Sequence, residues 1–140
     1  MSISVIRNND INLLKNFLEC IPSIKDIKEE VLLNSIVIVD NNNIVGNISI
    51  ELYDKKGLIR YFVFRKSINS NYLTKMIEEL IILAKELKLN EIICIADNND
   101  VIELFRGLGF NVINKNIYFD EELYKISNNV NSSYLSYNVK

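Results

Sequence analysis

The chain has 140 residues, 49 % hydrophobic and 24 % charged, enough for one folded domain and wrong for a disordered segment. Lys plus Arg total 16 against 18 for Asp plus Glu, and this formal charge of -2 speaks against a nucleic-acid partner. No apolar run approaches the roughly 20 residues of a membrane span, and the start, MSISVIRNND, lacks the apolar stretch of a secretory signal, so a cytoplasmic protein without membrane association is expected.

Ile3 to Arg7 alternates and predicts a first strand. Asp10 is placed to cap a following helix, because its carboxylate accepts from free N–H groups of the first turn, and Ile11, Leu14, Phe17 and Leu18 give that helix an apolar stripe. A second amphipathic stretch, with Ile24, Ile27, Val31 and Leu32, follows Pro22. Ser35 to Val39 is an apolar strand run ended by turn chemistry at Asp40 to Asn43. Ile44 to Tyr53 alternates, with Ile48, Ile50 and Leu52 on one face and Asn47, Ser49, Glu51 and Tyr53 on the other. Asp54-Lys55-Lys56-Gly57 reads as a tight connection in which Gly57 is free to take positive φ, and Leu58 to Phe64 is the return strand of an antiparallel meander.

The clearest helix follows. Leu73, Met76, Ile77, Leu80, Ile81, Ala84 and Leu87 recur at helical spacing, and the helix leads into the strand Glu91 to Ala96. A strand, a helix and a strand in that order predict a crossover and a parallel pair. A shorter helix spans about Asn99 to Gly107, ended by Gly107 and Gly109, and two further strand-like runs lie near Val112 to Phe119 and Tyr134 to Val139, separated by the polar loop Ser127 to Ser133. The prediction is a single α/β domain over residues 1–140 with a mixed sheet.

The side-chain inventory limits the chemistry. There is no histidine, which removes Ser-His-Asp and Cys-His nucleophilic sites and imidazole zinc sites. Two cysteines, Cys20 and Cys94, are too few for a four-cysteine zinc site and read as small core residues. A general base must then be a carboxylate, a tyrosine or a water chain. Glu51, on the face shared with Ser49 and Tyr53, is the carboxylate candidate; Tyr61 and Tyr118 are expected to pack their rings and expose their hydroxyls.

The order of elements, with the string ADNNDVIELFRGLGF at Ala96 to Phe110, resembles the GCN5-related N-acetyltransferase (GNAT) family over essentially the whole chain. On that pattern Asn98 takes the Asn position, Leu104-Phe105 the Leu-Tyr position, and Leu108-Gly109-Phe110 the closing signature. The resemblance implies a mostly antiparallel sheet with one parallel pair splayed at its centre and helices on both faces. It implies acetyl-CoA as co-substrate, an amine as acceptor, direct acyl transfer and no metal. Backbone groups of Phe62, Val63 and Phe64 would take the pantetheine arm, the loop Asn69, Ser70, Asn71, Tyr72, Leu73 and Thr74 the pyrophosphate, Asn98 would contact the arm, and Phe105 would also belong to the cofactor site.

Two positions depart from the family pattern. The linker Arg65 to Thr74 has no glycine where the family has R/Q-x-x-G-x-G/A, a motif that lets backbone N–H groups at a helix head approach an anion. One register puts Ile68, Asn71 and Leu73 at the Arg and the two Gly positions; another puts Lys66, Asn69 and Asn71 there. Leu73 in a glycine's place is expected to crowd the phosphates. Phe105 also lacks the hydroxyl with which a tyrosine at this position protonates the departing thiolate. These departures support the alternative of a catalytically inactive GNAT-like binding or interaction module. A further alternative is a homodimer formed through an exposed edge strand at Tyr134 to Val139.

Overall fold

The computed structural model of the protein describes residues 3–113 and 133–139. Within them the chain runs β1 (Ile3–Arg7), α1 (Ile11–Glu19), α2 (Glu29–Leu32), β2 (Ser35–Asp40), β3 (Asn43–Tyr53), β4 (Lys56–Phe64), α3 (Ser70–Glu86), β5 (Glu91–Ala96), α4 (Asn99–Gly107), β6 (Asn111–Ile113) and β7 (Ser133–Asn138). The strands form one sheet in the order β1-β2-β3-β4-β5-β7-β6, antiparallel except for the central β4–β5 pair. Each face of the sheet carries its own apolar layer. Ile36, Ile38, Ile48 and Ile50 pack with Met76, Ile77, Leu80 and Ala84 of α3, and Val37 packs on the other face with Leu14, Leu18 and Leu32. Among the described residues no helix is long and apolar enough to cross a membrane.

Local chemistry accounts for the element ends. Asp10 Oδ1 accepts from Leu13 N at 3.0 Å and starts α1. At the end of α4, Leu108 is the cap residue and Gly109 takes φ +104°, which turns the chain so that Phe110 N donates to Phe105 O at 3.1 Å. Gly107 is the last residue of the helix, and Gly109 makes the turn that ends it.

Three expectations are corrected. The amphipathic stretch after Pro22 is helical only over Glu29–Leu32, although Ile24 and Ile27 still reach the apolar layer from irregular backbone. The β3–β4 connection is the two residues Asp54 and Lys55, because Tyr53 pairs with Lys56 and Leu52 with Gly57. Asp54 carries the positive φ, 57°, and Gly57 serves a different need: a Cβ there would fall 2.7 Å from Ile50 Cγ1. Finally, Tyr134 to Ser136 is not an edge, since β6 pairs with β7 there on the side away from β5. The expected strand to Phe119 is described only as far as Ile113; its remainder, Tyr118 and most of the loop Ser127 to Ser133 lie outside the described residues.

Candidate active site between the diverging strands

β4 and β5 pair from Lys56↔Glu91 to Leu58↔Ile93 and then part. Above that point they enclose a cleft of about 310 Å³, walled by Leu58 to Phe62 on one side and by Cys94 to Asn98 with Val101 on the other. The change of course coincides with a bulge in β4. Ser49 opposes Arg60 and Asn47 opposes Val63, so Tyr61 and Phe62 together face Ile48 alone. Tyr61 takes φ +53° within the bulge. An extra residue of this kind bends its strand and increases the local twist. It also resets the alternation: Arg60 reaches Glu51 and Tyr61 joins the α1 layer, consecutive residues on one face, while Phe62 turns to the α3 layer.

The polar face of β3 lies beneath this bulge. Asn47 and Ser49 are fully buried, as is Ser35 beside them. Asn47 Nδ2 donates to the Tyr61 carbonyl and to Ser49 Oγ, both at 3.0 Å, and Ser49 Oγ lies 2.6 Å from Ser35 Oγ. Glu51 is mostly buried between two cations, with Arg60 Nη1 at 2.6 Å from Oε1 and Lys28 Nζ at 3.3 Å from Oε2. The Tyr61 hydroxyl is not exposed to solvent as a free group: it donates to Asp26 O at 2.7 Å and accepts from Lys28 N at 2.9 Å. Burial pushes its phenol above the usual tyrosine range, so it stays protonated at neutral pH. On this face a second cleft of about 320 Å³ runs between Ser23 to Asp26 and Arg60 to Val63.

The head of α3 follows β4 after one turn, in which Ile68 N donates to Arg65 O at 3.0 Å. No residue from 65 to 74 adopts positive φ, so this linker has no conformational need for glycine. Asn69 is the N-cap, and its Oδ1 accepts from Asn71 N at 2.8 Å. Ser70 and Asn71 are exposed, and Tyr72 and Thr74 half-buried. Leu73 is buried with Ile68 in the α3 layer. Of the nearby cations, Arg65 Nη2 bonds Asp40 Oδ2 at 2.9 Å and Lys66 is exposed.

No protein-family model and no curated protein matches the chain by sequence. Solved structures match it by shape. The N-acetylglutamate synthase of Neisseria gonorrhoeae complexed with coenzyme A and N-acetyl-glutamate aligns with a TM-score of 0.75 at 14 % identity, covering 100 % of this chain and 36 % of that one. A GNAT-family acetyltransferase of Staphylococcus aureus Mu50 aligns at 0.70 with 19 % identity, covering 99 % of this chain and 100 % of that one. A Mycobacterium tuberculosis protein in complex with CoA aligns at 0.72 with 14 % identity, covering 96 % and 98 %. The chain has a GNAT fold. It spans about a third of the synthase's length.

Within this GNAT fold the residues singled out in the sequence fall into two groups. Phe62 lines the central cleft, Val63 and Phe64 continue β4 beyond it, and Asn98 stands at its rim. Asn98 Oδ1 is engaged as the cap of α4, accepting from Asp100 N at 2.8 Å and Val101 N at 3.3 Å. Phe105 is fully buried behind the cleft wall, its ring centroid 5.4 Å from Phe62 and 5.0 Å from Phe110. Asn69 to Thr74 form the separate head of α3. Asn47 and Arg60 were not foreseen as site residues. The sequence signal for Asn47 is its alternation with Ser49 and Glu51 on one strand, where polar side chains share a face; for Arg60 it is a charge inside the apolar run Leu58 to Phe64.

The two cysteines differ. Cys20 is exposed just beyond α1, contrary to its expected core position, whereas Cys94 lines the cleft wall and is buried. Burial pushes the Cys94 thiol up to about 12, so almost no thiolate exists at neutral pH. A thiol reagent at about pH 8 is therefore expected to modify one cysteine in the folded protein and both after unfolding. Mass analysis that finds Cys94 modified in the folded state would contradict this.

Proposed function

We propose that the protein is an acetyl-CoA-dependent N-acetyltransferase that passes an acetyl group directly from the thioester to an amine. The observation that carries the reading is the parting of β4 and β5 above Leu58, with a bulge in one wall. Two of the proteins that share the fold were solved with coenzyme A, which supports the same ligand here. The residues fit it. The cleft walls combine apolar side chains and strand backbone with the polar Arg60, Asp97 and Asn98, a mixed lining suited to the amide-bearing pantetheine arm along Phe62, Val63 and Phe64. The head of α3, from Asn69 to Thr74, is the positive end of a helix dipole with Arg65 and Lys66 nearby, a suitable setting for a diphosphate, which would take Asn71 N from its present acceptor, Asn69 Oδ1. Asn98 at the rim is the polar contact for the arm.

The chain's own work is then positioning and charge stabilisation. A bulge leaves main-chain groups unpaired, and an N–H freed in this way can polarise a carbonyl held at Tyr61 and Phe62. The ammonium first loses a proton to water, the freed amine nitrogen bonds to the acetyl carbon, the carbon–sulfur bond breaks, and the nitrogen gives a second proton to water. Glu51 has both oxygens committed to Arg60 and Lys28, so in this reading it fixes Arg60 beside the bulge rather than taking the proton itself. Phe105 carries no acid, and the departing thiolate is protonated by water. With Cys94 almost wholly protonated at neutral pH, an acetyl-cysteine intermediate has no nucleophile in the cleft, which favours direct transfer.

Calorimetry and melting curves with acetyl-CoA, followed by mass detection of acetylated products from a panel of amines, test the reading. Acetyl-CoA at a hundred times its Kd should add about 2.7 kcal/mol, or roughly 10 °C in Tm for a domain of this size. No response at millimolar CoA would remove the enzyme and leave the inactive binding module.

A further inference from the structure

Tyr61, at φ +53°, lies in a backbone region that is an outlier for a bulky side chain and persists only where the surroundings hold it. It is held at two points. Asn47 Nδ2 donates to its carbonyl at 3.0 Å, and its hydroxyl bonds Asp26 O and Lys28 N at 2.7 and 2.9 Å. Asn47 is fully buried, and among the described residues its Oδ1 meets no donor. An unsatisfied buried oxygen is costly, so what this carboxamide contributes lies in its two donor bonds. The residues it steadies, Tyr61 with its neighbours Arg60 and Phe62, line both the cleft between β4 and β5 and the cleft against Ser23 to Asp26.

The geometry points to Asn47 as a positioning residue: through the Tyr61 carbonyl it holds the bulge that parts β4 from β5. Through the Tyr61 hydroxyl the same hold fixes Asp26, at the end of the Ser23 to Asp26 wall of the second cleft. Acyl donor and acceptor, approaching from these two clefts, then meet at a wall set by one buried amide. The catalytic consequence rests on the acetyl-transfer reading; the structural one does not.

The test is Asn47→Leu, similar in shape but unable to donate, examined by crystal structure and by steady-state kinetics. Tyr61 is expected to leave the positive-φ region. With an amine that the wild type acetylates, kcat should fall about tenfold to a hundredfold while KM for acetyl-CoA stays within about threefold. Asn47→Asp supplies the signature of a hydrogen bond rather than of packing. Its neutral acid donates to the Tyr61 carbonyl and its carboxylate does not, so the ratio of variant to wild-type kcat should climb as pH falls from about 8 to about 6. Glu51, Arg60 and Lys28, the charged groups on this face, are common to both proteins and cancel in the ratio.

Tyr61 staying at positive φ in Asn47→Leu, or an unchanged kcat, would overturn the proposal. A wild type inactive with every amine, combined with a relaxed Tyr61 in the variant, would retire the transferase and keep the hold on the bulge. If Asn47→Leu does not fold, the structure of Asn47→Asp at the two pH values decides. Positive φ only at the lower pH supports the hold, and positive φ at both refutes it.

Discussion

Phe105→Ala is expected to cost about 3–5 kcal/mol of folding stability, the range for truncating a buried aromatic ring. No part of Phe105 reaches solvent. Its ring is the middle member of a continuous aromatic run, Phe64, Phe62, Phe105, Phe110 and Tyr137, with successive centroids 5.3, 5.4, 5.0 and 5.2 Å apart. Phe62 and Phe110 meet it edge to face, an arrangement that adds to the value of the buried area. Partial collapse of the hole would bring the loss to the lower end of the range. For a chain of 140 residues the expected fall in Tm is roughly 10–20 °C. Urea unfolding at constant m should give the same free energy. A loss below about 1.5 kcal/mol would mean that Phe62 and Phe110 close the gap between them. Phe62 is also a cleft residue, so removing the ring behind it should loosen that wall. The position that carries a tyrosine in the family pattern is here a fully buried ring packed against the cleft residue Phe62.

The parts of this architecture set by local periodicity were readable from the residues. The i, i+3, i+4 stripe from Leu73 to Ala84 gave α3, the alternation in Ile44 to Tyr53 gave β3, and the strand–helix–strand order gave the parallel pair. Gly109 makes the left-handed turn that ends α4, whereas the capping role of Asn98, read only as a contact for the cofactor arm, emerged from the structure. What failed depends on partners distant in sequence. Alternation says that Asn47, Ser49 and Glu51 share a face; it does not say that this face is covered by the 23–32 segment, because Ile24 and Ile27 reach the core without a helix to announce them. The bulge at Tyr61 is a property of the register between β3 and β4, and a strand read alone has no register. Leu73 is a different case. Its place on the apolar stripe already implied a side chain turned to the core, and it is buried there. The dimer edge failed on strand order, since β7 is inserted between β5 and the shorter β6.

Filling the central cleft should abolish cofactor binding without unfolding the protein. Val101 is the residue for this, because it stands on the first turn of α4, lines the cleft and is only half-buried. An indole in place of its isopropyl group can extend into a cleft of about 310 Å³ rather than into packed core, so the strain of overpacking is small. Affinity for CoA should fall at least about a hundredfold, equivalent to about 2.7 kcal/mol, with Tm within a few degrees of wild type. Glu103→Trp is the control. It places the same ring on an exposed position of the same helix, and CoA affinity should be unchanged. The comparison separates the two places where the ligand is proposed to be held. If the head of α3 carried most of the affinity through the diphosphate alone, blocking the space between the strands would leave binding nearly intact, and Val101→Trp would resemble its control. Loss confined to Val101→Trp would instead locate the grip where β4 and β5 diverge.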